Sequence, residues 1–237
     1  MEAKDRIILA LDVDTESQAL NFVETLKDHV GAFKIGMQLF NSTGPEIVSK
    51  VNNLGGKIFV DLKFHDIPNT VAATSRVMAR LGCYMFNVHA AGGREMMKQA
   101  ALAVKKETES NSLVAPKIIA VTVLTSLSQE ELNSEVRVLL PVEKLVVEWA
   151  EMAKESGMDG VVASPKEVTA IRRACGPDFM IVTPGVRPDW ADAQDQKRVT
   201  TPHEAIAMGS DYLVIGRPIT GAKDPVLAAQ RIISELV

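Results

Sequence analysis

The chain has 237 residues, 46% hydrophobic and 24% charged, a globular composition with enough apolar residues to bury a sizeable core. Its formal net charge of -4 offers no basic field to nucleic acid or to an anionic membrane, and no apolar run approaches the ~18 residues that span a bilayer. Cys83 and Cys175 are too few for a disulfide framework and read as packing residues; without a basic-then-apolar leader, the expectation is a soluble, cytoplasmic protein.

In chain order the β-branched apolar runs are RIILAL (6–11), AFKIG (32–36), KIFVDLK (57–63), MFNVH (85–89), KIIAVTVL (117–124), GVVAS (160–164), FMIVTPG (179–185) and YLVIGRP (212–218). Each precedes a segment with helical spacing, such as Val71, Met78 and Leu81 after the third run, or Met97, Ala100, Ala101 and Val104 after the fourth. About eight strand-then-helix units demand parallel strands with crossover helices. They match an α/β fold, a closed (β/α)8 TIM barrel in a single domain over 1–237. A doubly wound open sheet is the alternative, but ALDVD runs into Thr15 and a helix with no G-x-G-x-x-G turn.

Side chains alternate along a strand, so parity sorts the charges. In the first run Leu9 and Leu11 share one face, and Ile8, Ala10 and Asp12 the other. In the second, Phe33 and Ile35 oppose Ala32, Lys34 and Gly36. In the third, Ile58, Val60, Leu62 and Phe64 suit the helix layer, leaving Phe59, Asp61, Lys63 and His65 to the interior. Three consecutive strands thus aim Asp12, Lys34, Asp61 and Lys63 at one end of the barrel. Two acids and two lysines can neutralise one another, since an unpaired ion removed from water costs several kcal/mol. Such a set is either a ligand site or a buried ion network with no other role. The fourth run places Asn87 and His89 on the interior parity, where His89 reads as a hydrogen-bonded supporting residue or, alternatively, a functional one. The four histidines lack close metal-ligand spacing; a divalent ion held by aspartates alone stays open.

Two connections are long: LTSLSQEELNSEVRVLLPVE after the fifth run and TPGVRPDWADAQDQKRVTTPHE after the seventh. Connections of this length serve as lids or binding loops, or are surface insertions, and Asp189 to Lys197 reads as the lid. At the ends of the last two runs, Gly185 and Gly216 allow a ligand close to the backbone. Arg187 and Arg217 supply fork-shaped donors suited to phosphate, where barrels often bind it. The other reading has both arginines paired to surface acids.

FVDLKFHDIPNT, with Asp61, Lys63 and Asp66 as an Asp-x-Lys-x-x-Asp core, resembles the signature of orotidine 5'-phosphate decarboxylases. LALDVD, FKIGMQLF, VHAAGG, VTVLTS, TPGVRP, DQKRVTTP and VIGRPIT follow in that family's order, so the resemblance covers essentially the whole chain. It implies loss of CO2 from orotidine 5'-monophosphate to give UMP, the last step of de novo pyrimidine synthesis, with no cofactor and no metal. By matching position, Lys63 would protonate C6, flanked by Asp61 and Asp66, with Lys34 completing the network. Asp12, Lys34 and Thr70 would meet the ribose, and Thr125 and Ser126 the base. Arg187, Gln196, Gly216 and Arg217 would hold the phosphate, with Pro184 beside them. Asp66, Ile67 and Thr70 would enter the partner subunit's site, making a homodimer. The competing functions are a Mg2+-dependent sugar-phosphate decarboxylase or aldolase-like synthase using the same core, and a barrel that only binds a phosphometabolite.

Overall fold

The computed structural model describes residues 1–191 and 200–236. β1 (Ile7–Ala10) leads to α1 (Glu16–Leu26), and β2 (Ala32–Gly36) to α2 (Met37–Thr43) and α3 (Glu46–Asn53). β3 (Ile58–Phe64) precedes α4 (Pro68–Arg80), and β4 (Met85–His89) precedes α5 (Gly93–Asn111). β5 (Lys117–Val121) is followed by α6 (Gln129–Ser134) and α7 (Val142–Glu155), and β6 (Gly160–Val162) by α8 (Val168–Cys175). β7 (Met180–Pro184) and α9 (Pro202–Ala207) precede β8 (Tyr212–Ile215), α10 (Arg217–Thr220) and α11 (Pro225–Glu235). The strands pair in parallel in sequence order, and β1 against β8, with Ile8 opposite Val214, closes the ring. The alternation therefore gives a closed TIM barrel rather than an open sheet.

Strand parity divides the apolar residues as the pleat requires. Ile8, Ala32, Phe59, Met85, Ile119, Val182 and Tyr212 pack inside the ring. Ile7, Leu9, Phe33, Ile35, Ile58, Val60, Phe86 and Val88 face outward and pack with helix residues such as Val23, Val48, Val71, Met97 and Val146. Both strand faces are buried, which is why the runs read as continuous apolar stretches. Cys83 and Cys175 are buried packing residues of the outer layer. Among the described residues no helix is long and apolar enough to cross a membrane.

Helix starts follow local chemistry. Thr15 accepts from the Gln18 N–H at the start of α1, and Pro68 occupies the first turn of α4, where no N–H is missed. The connection after β5 differs from the long loop expected, because it contains α6. Ser128 and Glu131 form a reciprocal capping box there, a signal present in SQEE but carried by a helix too short to show periodicity. β8 ends at Ile215, the last apolar residue of the eighth run. Gly216, at φ -118° and ψ -101°, turns the chain into α10, with Pro218 in its first turn.

Candidate active site

The C-terminal strand ends surround a cleft of about 370 Å3. Its floor is the top of the apolar barrel filling, with Ala10, Phe59, Val162 and Val214 exposed to it. Asp12, Lys34, Asp61 and Lys63 stand on one side, and Pro184, Arg187, Gly216 and Arg217 on another.

The charged side chains form an alternating row. Lys34 Nζ lies 3.1 Å from Asp12 Oδ1 and 3.5 Å from Asp61 Oδ2, and Lys63 Nζ donates to Asp61 Oδ1 at 2.6 Å. Asp61 is the inner member, with its side chain 14% exposed against 60% for Asp12. Burial alone would raise the Asp61 carboxyl. The ammonium charges of Lys34 and Lys63, with hydrogen bonds from Lys63 and Asn87, outweigh it and hold the group below the usual carboxylate range. Asp61 is therefore a fixed anion between two cations.

This geometry depends on a departure from regular strand structure. β3 and β4 pair Val60 with Phe86 and then Phe64 with Val88, so four steps along β3 meet two along β4. Within that irregularity Lys63 has φ +52°, a left-handed conformation unusual for a side-chain-bearing residue. It costs on the order of 1–3 kcal/mol and persists where surrounding structure enforces it. The irregularity also corrects the parity argument. His65 lies beyond the strand end, is exposed, and does not line the cleft, because strict alternation fails once Lys63 turns. It stacks on His89 with ring centroids 5.4 Å apart, and His89 meets Trp149 edge-on at 6.2 Å. His89 Nδ1 accepts from the Ala91 N–H, and His89 does not line the cleft.

On the opposite wall, Gly185 has φ +75°, which only glycine adopts freely. It turns the chain so that Val186 bridges Thr200, whose carbonyl accepts from the Arg187 N–H at 3.1 Å. The two ends of the long connection after β7 are thereby tied together. Trp190 anchors it further, donating to Glu235 Oε1 with Arg231 over its ring. Arg187 is buried while Arg217 is exposed. Gln196 and most of the expected lid lie outside the described residues.

Thr125 lines the cleft, whereas Ser126 next to it is exposed and does not. Asp66 and Ile67 in the β3–α4 connection and Thr70 in the first turn of α4 are exposed, and none lines the cleft of its own chain. Asp66 Oδ1 accepts from the Ile67 N–H there. Among the described residues no three His, Cys, Asp or Glu side chains are grouped to hold a metal ion.

Sequence reasoning missed the apolar wall of Val121, Val123 and Leu124. The end of the fifth run was its signal. It also left Asn87 without a role, although parity placed it inward; its two partners appear only once β3 departs from regular pairing.

The family model described as "Orotidine 5'-phosphate decarboxylase / HUMPS family" matches residues 5–232. An orotidine 5'-phosphate decarboxylase of Syntrophomonas wolfei is 62% identical over 237 residues, covering 100% of this chain and 99% of that protein. One from Moorella thermoacetica is 55% identical over 236 residues, covering 100% of this chain and 94% of its own. The crystal structure of orotidine 5'-phosphate decarboxylase from Lactobacillus acidophilus superposes with a TM-score of 0.86 at 41% identity, covering 97% of this chain and 98% of that one.

Proposed function

The chain belongs to the orotidine 5'-phosphate decarboxylase / HUMPS family, and we propose that it decarboxylates orotidine 5'-monophosphate to UMP and CO2 in pyrimidine biosynthesis, with Lys63 as the acid that protonates C6. The observation carrying this reading is the alternating Asp12, Lys34, Asp61, Lys63 row beside a cleft whose other wall bears Arg187 and Arg217.

Loss of CO2 from an sp2 carbon leaves an electron pair that the pyrimidine ring cannot delocalise. A cation held beside that carbon interacts more strongly with the developing carbanion than with the neutral ring position, so it lowers the barrier. Lys63 supplies the charge, then the proton: its N–H bond breaks as the C6–H bond forms, leaving a neutral amine that solvent reprotonates. Asp61 fixes the ammonium, and Lys34 links Asp61 to Asp12, which with Thr70 would hold the ribose. Arg187, Gln196, Gly216 and Arg217 would hold the phosphate beside Pro184, and Thr125 and Ser126 the base. Binding energy from the phosphate, remote from the reacting carbon, orients the ring.

Asp66, Ile67 and Thr70 are assigned to the neighbouring subunit's site in a homodimer. What supports this is their exposure outside the cleft lining, with Ile67 67% exposed, and further uncovered apolar side chains, Val77 and Leu102, on the adjoining helices α4 and α5.

The reaction is tested by following UMP formation in EDTA. Wild-type protein is expected to retain full activity, and Lys63→Ala to lose kcat by roughly 10,000-fold or more. A strict Mg2+ requirement without nucleotide turnover would overturn the assignment, and a folded Lys63→Ala protein keeping most of its kcat would remove Lys63 from its role. Mixing Lys63→Ala with Asp66→Ala subunits is expected to restore part of the activity. No recovery after demonstrated subunit exchange would count against a shared site.

A further inference from the structure

Asn87 is fully buried on β4, outside the cleft lining, and its two amide ends point to different parts of the reactive pair. Nδ2 donates to Asp61 Oδ1 at 2.7 Å, and Oδ1 accepts the backbone N–H of Lys63 at 2.8 Å. The same Asp61 oxygen accepts from Lys63 Nζ. One side chain thus holds the carboxylate that grips the ammonium and also the left-handed backbone from which that ammonium extends.

The surrounding structure explains why an amide is needed. Below Asn87 on the interior parity is Met85, in the apolar filling, and across β5 it pairs with Ile119. On the other side β3 runs four steps against two of β4, so the main chain of Lys63 leaves regular ladder pairing. The amide carbonyl takes up that N–H, and the amide N–H at its other end reaches the carboxylate. A carboxylate side chain could do only the first task, and an apolar one neither.

Resting on the decarboxylase reading above, we propose that Asn87 is a positioning residue for the reaction: it sets where the Lys63 ammonium sits by clamping Asp61 and the Lys63 main chain together. It touches no substrate, and its effect reaches the reacting carbon only through Lys63. Displacement of a reacting group by about 1 Å can cost roughly 100-fold in rate, so the effect belongs in kcat. Binding through Arg187 and Arg217 is expected to be spared.

The test is Asn87→Asp, equal in size but placing a second carboxylate against Asp61. The charged and titratable groups around it are Asp61 and Lys63 on β3, Lys34 beyond them on β2, and His89 on β4; the paired β5 residue, Ile119, is apolar. Two carboxylates this close titrate as a pair, so protonation of one of them on acidification restores a donor at this position. At pH 7.5 kcat is expected to fall roughly 100-fold, with the Kd for UMP within about threefold of wild type. Relative to wild type at each pH, at least about tenfold of the loss is expected to return by pH 5.5. A merely structural role would lower the folded fraction instead and leave kcat per folded site unchanged at both pH values, which would overturn the proposal. If Asn87→Asp does not fold, Asn87→Ser, neutral and smaller, decides at one pH: lowered kcat with UMP affinity kept supports the role, and unchanged kcat refutes it. If wild-type protein releases no CO2 from the nucleotide, the underlying reaction fails, an outcome distinct from both.

Discussion

The barrel carries a charged cluster at each end, and the two are built on opposite logic. At the N-terminal end, Arg172 from α8 donates to the carbonyls of Gly176, Pro177, Phe179 and Gly209 and to Asp211 Oδ2, an oxygen that also accepts from the Ile181 N–H. Those carbonyls belong to the turns entering β7 and β8, so the guanidinium is consumed in stapling strand starts. At the C-terminal end, the Lys63 ammonium has three protons but, among the described residues, a single side-chain acceptor, Asp61. Asp12 at the far end of the row lines the cleft with its side chain 60% exposed. Both ends pair their ions, and they differ in that the C-terminal row leaves hydrogen-bonding capacity facing a cavity.

Paired substitutions break the comparison most sharply. Lys63→Ala should abolish turnover yet shift Tm by only a few degrees, because Asp61 retains Lys34 and Asn87. Arg172→Ala should do the reverse. Removing the guanidinium leaves Asp211 uncompensated and several carbonyls without their donor, a loss of about 3–5 kcal/mol, or roughly 6–20 °C in Tm for a chain of this size. The kcat of the remaining folded protein is expected to stay within about twofold, since the staple lies at the end remote from the chemistry. Thermal melts and active-site-titrated kinetics on both variants decide this. An Arg172→Ala protein with normal Tm and lost kcat would show that the two ends are coupled.

The smallest effect lies in pH. Burial, then the neighbouring charges of His65 and Lys63, holds His89 below its ordinary value of 6.5. The unfolded chain therefore binds more protons at this ring than the folded one as pH falls through about 6.5, so stability declines on acidification. His89→Gln is expected to lose less Tm than wild type between pH 7.5 and 5.5. Equal losses would place the sensitivity elsewhere. Asp61 acts at lower pH with the same sign: its folded value is depressed below 3.8, so its stabilisation is present above that value and is lost as pH falls through the depressed one.

Much of this was legible in the sequence, for a reason that also marks the boundary. Ring closure follows from the count of about eight strand-then-helix units, and the placement of Asp12, Lys34 and Asp61 from period-two alternation, which holds wherever a strand is regular. Lys63 was located, but its left-handed backbone was not, because the feature that creates it is a mismatch between two strands and neither strand shows it alone. His65 was misplaced for the same reason. Asn87 became intelligible only after the mismatch was seen. Helix α6, short and capped, lacked the length for periodicity to register.

The seam between β1 and β8 carries one last implication. The lysines and aspartates of the row lie between residues 12 and 63, while the arginines come from 187 and 217, so no contiguous half of the polypeptide holds both. They meet across pairs such as Ile8 with Val214, contacts between distant parts of the chain whose closure entropy makes them slow to form. On the proposed reading of the site, the Lys/Asp row therefore emerges during synthesis long before the arginines assigned to the phosphate, and turnover must await the final stitch of the ring. Activity at this site reports that the last strand has found the first.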